Sequence, residues 1–228
     1  MLDYILSKMN LLILVVSMFA IVAFFSAGLS EIVKINEANL RLRQITSMAE
    51  SIANSNSSCD TATYPMADSL NTGGADFFYI LKISKVKLPA ENGAFINNVI
   101  FSMFPRMKPQ NAFAANSFRT NAEIRVYSPD YIDKKYPTPD VYSERCENQE
   151  SCSAIADPQA QANLQPLNAV VFIKERFADN SGNVVDYLHI IPCNVARCDD
   201  KVTYVARNLA NRGPEGKFLC GMNQGTTP

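Results

Sequence analysis

Two hydrophobic patterns follow one another without a break at the start of the chain. From Met9 to Ser30 no residue is charged and most are apolar. At 1.5 Å per residue this run is about 33 Å long as a helix, enough to cross a hydrocarbon core. After Glu31 charges return, yet Ile35, Ala38, Leu42, Ile45, Ala49 and Ile52 recur in steps of three, four, three, four and three. That is a narrow apolar seam on a helix, with Glu37, Arg41, Arg43 and Glu50 lying off it. Neither Gly nor Pro interrupts Leu29 to Cys59, and the polar cluster Asn54 to Cys59 supplies the stop. One helix is therefore expected from the start of the chain to about Asn54, half in lipid and half in protein. The seam is expected to pack on the chain's own β domain. The alternative is that part of it faces a neighbouring copy, which the small Ala38 and Ala49 would let approach closely.

From Asp76 onwards the pattern changes to strands. The runs Phe77 to Leu88 and Ala94 to Phe104 flank "PAENG" and predict a hairpin. Ala122 to Ser128 alternates. "AVVFIKERF" and "VVDYLHII" flank "ADNSGN", a second hairpin whose Gly182 can take a positive φ at the turn. Lys201 to Arg207 adds another strand. About six strands suffice for one sheet with the stem helix covering a face. Between them runs a Tyr- and Pro-rich stretch in which Pro129, Pro137 and Pro139 oppose ladder pairing, predicting a long loop. Asp157 to Asn168 fits a short helix or coil. The expected fold class is thus α+β: a transmembrane-plus-stem helix packed on an antiparallel β head with long loops. Residues 1–30 form the tail and membrane helix, 31–58 the stem, and 59–228 the head.

Composition then narrows the function. A net charge of −1 and scattered Lys and Arg give no basic surface for nucleic acid. A cleaved signal peptide would have a shorter apolar region ending in small residues, whereas bulky Phe24 and Phe25 stand where the small ones belong, so a permanent anchor is expected. Lys8 lies before the span; Lys34, Arg41 and Arg43 follow it, and counting cations alone would leave the body in the cytoplasm. Against this, Cys59, Cys146, Cys152, Cys193, Cys198 and Cys220 form an even set wholly beyond residue 58, as disulfides in an oxidising compartment would. Asn56-Ser57-Ser58 is a sequon compatible with the same side. The expected arrangement is a single-pass membrane protein with its N-terminus cytoplasmic and its head outside. Six cysteines allow 15 pairings; the expected set is Cys146 with Cys152, Cys193 with Cys198, and Cys59 with Cys220.

Candidate chemistry is sparse. His189 is the one histidine, and neither GxSxG, HExxH nor a phosphate-binding glycine loop occurs. His189 and Cys193, four residues apart on an extended chain, would hold their side chains about 13 Å apart, too far to share a metal ion without a bend at Pro192. "DNSGN" has its Gly too early for a calcium loop and no closing Glu. The chain is expected to be non-enzymatic, with no cofactor or metal. Tyr127, Tyr131, Tyr136 and Tyr142 could form a ligand-binding loop or simply pin the Pro-rich segment to the sheet.

A helix that is half membrane span and half amphipathic stem, leading into a cysteine-bearing β body, resembles type IV pilins and pseudopilins over Leu11 to Asn54 and in the order of elements thereafter. The resemblance implies a structural subunit whose apolar helix halves bundle with other copies, or with related pilin-like subunits, in a pilus or secretion-type assembly. The β heads would then decorate the outside, and before assembly the helix would sit in membrane lipid. Two features depart from that pattern. "MLDYILSKMN" has no Gly before the apolar run, and Asn10 to Ser30 contains no Glu. An uncut subunit that stays in the membrane fits these residues. A membrane-tethered binding module, its head recognising a ligand or envelope partner, is the second expectation.

Overall fold

The computed structural model describes residues 2–71, 76–89, 95–107, 109–130, 141–144, 151–159, 166–179, 183–198 and 216–218. The first element is the continuous helix α1 (Leu2–Ala53). It closes by tightening: the Asn54 N–H still donates four residues back to Glu50, while the Ser55 N–H donates three back to Ile52. No basic residue of its own lies in its last turn. Instead Lys174, from a strand of the head, donates to the Ser55 carbonyl and supplies positive charge where the helix end favours it.

The strands are β1 (Cys59–Pro65), β2 (Leu70–Asn71), β3 (Asp76–Phe77), β4 (Tyr79–Pro89), β5 (Phe95–Pro105), β6 (Ala114–Thr120), β7 (Glu123–Asp130), β8 (Val141–Glu144), β9 (Ser151–Ala156), β10 (Ala169–Asp179), β11 (Val184–Cys193) and β12 (Gly216–Phe218). Among the described residues they form two main sheets and a β2–β3 ribbon, where one sheet was expected. The larger runs β1-β10-β11-β7-β8, with β12 also on β10; the smaller runs β6-β5-β4-β9. Both expected hairpins, β4–β5 and β10–β11, are present. Pairing is antiparallel except between β11 and β7, which run parallel.

The Tyr/Pro stretch also differs from expectation. Its start is strand rather than loop: Pro129 sits in β7 opposite Tyr142 of β8. The fold tolerates this because β11 pairs with β7 only as far as Val126, so among the described residues no strand bonds the other side of Pro129. Tyr131, Tyr136, Pro137 and Pro139, like the Lys201 to Arg207 strand and Gly182, lie outside the described residues.

The core fills the space between α1 and the two sheets. Leu81 and Ile83 of β4, Val99 and Phe101 of β5, Ile124 and Val126 of β7, Val170 and Phe172 of β10, and Leu188 and Ile190 of β11 form one buried cluster. Ala38, Leu42, Ile45, Ala49 and Ile52 of α1 belong to it. Phe101 meets Phe172 edge-on at 6.1 Å, joining the sheets. The alternate residues of β10, Ala169, Val171 and Ile173, are buried on the opposite face with Tyr127, Ile191, Cys193 and Cys198. Burial on both faces explains why "AVVFI" reads as a nearly unbroken apolar run.

Candidate functional site

The long helix is the part of the molecule whose surface demands a partner. Among its described side chains, large apolar residues from Met9 to Phe25 are exposed without interruption around the axis, including Leu11, Leu12, Ile13, Leu14, Phe19 and Phe24. Among the described residues, none of the head covers the apolar window. Such a helix is by length and composition able to span a bilayer. Within it the Ser17 hydroxyl donates to the Leu14 carbonyl at 2.9 Å, so this polar group is satisfied by its own helix as an apolar solvent requires.

Beyond Glu31 the same helix changes partner. Ala38, Leu42, Ile45, Ala49 and Ile52 are buried and Ile35 is half-buried, all against the head. The two alanines are therefore taken up by the chain's own sheets, chiefly beside β6, and present nothing to a neighbouring copy. What the stem leaves outward is Ile32, Val33 and Leu40, the last 52% exposed. Tyr64 of β1 fixes the stem from the side, its hydroxyl lying 3.4 Å from both the Arg41 carbonyl and Gln44 Oε1. Burial pushes the Tyr64 hydroxyl above its usual range despite nearby Arg41, and burial pushes Tyr79 up as well.

At the far end of the stem is a polar cavity of about 570 Å³, lined by Asn54, Ser55, Asn121, Lys174, Arg176 and Asp186 among others. Lys174 Nζ lies 3.2 Å from Asp186, and Arg176 grips the same carboxylate at 2.7 and 3.0 Å. The Arg176 hydrogen bond, with further help from Lys174, holds the Asp186 carboxyl below its usual range against the opposing effect of burial. Sequence reading missed this network. Its signal was Lys174, which shares a strand face with Val170 and Phe172. A cation on the inward face of a buried strand implies a specific partner.

His189 stands on the other face of the larger sheet. Its Nδ1 is 3.1 Å from the Tyr127 hydroxyl and its Nε2 is 3.3 Å from Glu175 Oε2. Tyr187 stacks beside it, and Arg125 lies over the Tyr187 ring. Tyr127, one of the four tyrosines read as either lining a ligand loop or pinning the segment to the sheet, is a buried residue of β7. Tyr142 is on β8, and Tyr131 and Tyr136 lie outside the described residues.

Of the expected disulfides, Cys193–Cys198 is present with its Cα atoms 5.4 Å apart. Its short loop contains a 3₁₀ turn (Val195–Arg197) capped by Asn194, whose side chain accepts from the Ala196 N–H. Cys193 is thereby removed as a metal ligand for His189. Cys59 and Cys152 are disulfide-bonded too. The expected pairs Cys59 with Cys220 and Cys146 with Cys152 each include a residue outside the described set. No family model, curated protein or solved structure matches the chain.

Proposed function

We propose that the chain is a non-enzymatic, single-pass membrane protein of the pilin-like kind. It acts as a structural subunit that holds a disulfide-stabilised β head outside the membrane and packs its helix against other copies or related subunits. The observation that carries this reading is the single unbroken helix with two solvents: apolar and uncovered before Glu31, seamed and packed on the head after it. A helix exposed on all sides with Leu, Ile, Val and Phe is unstable in water and stable in lipid. Four disulfide-bonded positions beyond residue 58, Cys59, Cys152 and the Cys193–Cys198 pair, support an oxidising compartment for the head.

Two measurements test it. Full-length chain should remain in the membrane pellet after alkaline carbonate extraction, and Val16→Arg should weaken that retention; release of the unmodified chain would refute the anchor. Contacts between copies should run through the outward stem face, because Ala38 and Ala49 are buried. Leu40→Cys is therefore expected to give dimers with a bis-maleimide in membranes. The polar cavity at the stem's end favours the second reading, a tethered binding module. That reading prevails if Leu40→Cys gives no cross-link at native density while the full-length protein binds a ligand in a manner lost with Asn121→Leu.

A further inference from the structure

The end of the head nearest the helix's uncharged half has an unusual composition. Lys34 is four residues past Ser30, the last of the uncharged run, which is about 6 Å along the axis. A helical side chain leans toward the N-terminus, so the Lys34 ammonium points back toward that boundary. There it lies 4.6 Å from the centre of the Phe77 ring and 5.5 Å from that of Phe113, while pairing with Glu31. Phe77 and Phe113 meet edge-on at 5.2 Å. These rings from the head therefore stand at the height where the apolar helix begins.

Beside them the chain leaves apolar groups uncovered. Phe78 is 42% exposed and Met107 is 92% exposed. The Arg106 N–H donates to the Phe78 carbonyl at 3.1 Å, which holds these two segments together. The Arg106 guanidinium is engaged by Asp157 at 3.1 Å, so its charge is paired. Ile32 and Val33 of α1 are exposed at the same level. Aromatic rings, an apolar flexible side chain and a lysine reaching along the helix are the groups that settle at a membrane–water interface.

We propose that this rim is a second lipid-contacting site. Phe78 and Met107 rest in the headgroup region beside the emerging helix, so that the head lies on the bilayer. The inference rests on the anchor reading and adds to it a fixed posture for the head. Continuity with the apolar helix through Lys34, Phe77 and Phe113 favours lipid over a second protein as the occupant.

The chain contains no tryptophan, so single substitutions give clean fluorescent probes. Full-length Phe78→Trp, Met107→Trp, Phe19→Trp and Phe95→Trp would each be reconstituted in phosphatidylcholine vesicles with and without acyl chains brominated near the headgroup, and Phe19→Trp, midway along the span, in vesicles whose acyl chains are brominated near their ends. Phe19→Trp reports the anchor. Phe95→Trp, exposed and remote in β5 from the Pro105 end, reports the open head. Quenching of Phe78→Trp and Met107→Trp clearly above that of Phe95→Trp is the expected result. Equal, weak quenching of all three head probes while Phe19→Trp is quenched overturns the proposal and leaves the anchor standing. An unquenched Phe19→Trp overturns both. Met107 is almost wholly exposed, so its substitution leaves the fold intact and keeps the test decisive.

Discussion

At the scale of single residues, the most informative group is Asp186. It joins Lys174, whose side chain is 2% exposed, to Arg176, and through Lys174 it reaches the carbonyl that ends the stem helix. Asp186→Asn takes the compensating negative charge away from a buried ammonium that still donates to that carbonyl. Breaking a fully buried pair costs roughly 3–5 kcal/mol, but Asp186 is open enough for water to help, so about 1–2 kcal/mol is expected in a denaturant titration. The pH dependence has a definite sign. The Asp186 carboxyl is held low in the folded state, chiefly by Arg176. Glu123 is also held low, its burial outweighed by the Lys85 ammonium at 2.8 Å. Stability from both is fully present above the ordinary carboxylate range, about pH 4–4.5, and is lost as pH falls through the lower folded values. Asp186→Asn should flatten the acid limb of a stability-against-pH curve and leave neutral pH dependence unchanged; an unaltered acid limb would show that the carboxylate contributes nothing there.

At the scale of elements, the stem and the sheets depend on one another through side chains of matched size. Leu42 is fully buried between them, and Leu42→Ala should cost about 2–5 kcal/mol by the cavity it leaves. Ala49→Leu should also destabilise, by about 1–3 kcal/mol, because Ala49 is fully buried between the stem and the sheets and a larger side chain would overpack that contact. Thermal melts of both variants would check this, and a neutral Ala49→Leu would mean the stem is free to shift. The seam itself was legible because spacing in a helix is fixed at 3.6 residues per turn, and Ala38, Leu42, Ile45 and Ala49 followed it. The β4–β5 hairpin was legible for the same reason at period two, and the β10–β11 hairpin from two apolar runs flanking a turn sequence. What was not legible falls into two kinds. Strands β1 (CDTATYP) and β6 (AANSFRT) border their sheets, carry half-buried polar side chains and lack a continuous apolar face. The partition into two sheets is set by which faces meet, as Phe101 meets Phe172, and local periodicity holds no record of that. Of the candidate site, composition exposed the apolar helix, whereas the rim needed Phe77, Phe113 and Lys34, far apart in sequence, to be brought together.

At the scale of the whole molecule, the rod's continuity makes position in the membrane and posture of the head a single property. Residues 26–34 connect a helix half held by lipid to one held by the core, and a Cβ added at Gly28 would meet nothing within 4 Å. A break there should separate two effects that are joined in the native chain. Ser30→Pro removes the Ser30 N–H donor to the Ser26 carbonyl and clashes with that carbonyl, a local cost of about 3 kcal/mol or more. The buried seam starts beyond it, so the head's melting temperature should change little, and the apolar run before it should still be retained by membranes. The direction in which the stem leaves the bilayer should change. With the same bromolipid vesicles, Met107→Trp should lose quenching when combined with Ser30→Pro, while Phe19→Trp with Ser30→Pro should keep its quenching. If the Met107→Trp signal survives the kink, the rim holds to lipid by its own affinity. If head stability falls together with the signal, the two halves of the helix form one cooperative unit that extends through the membrane boundary.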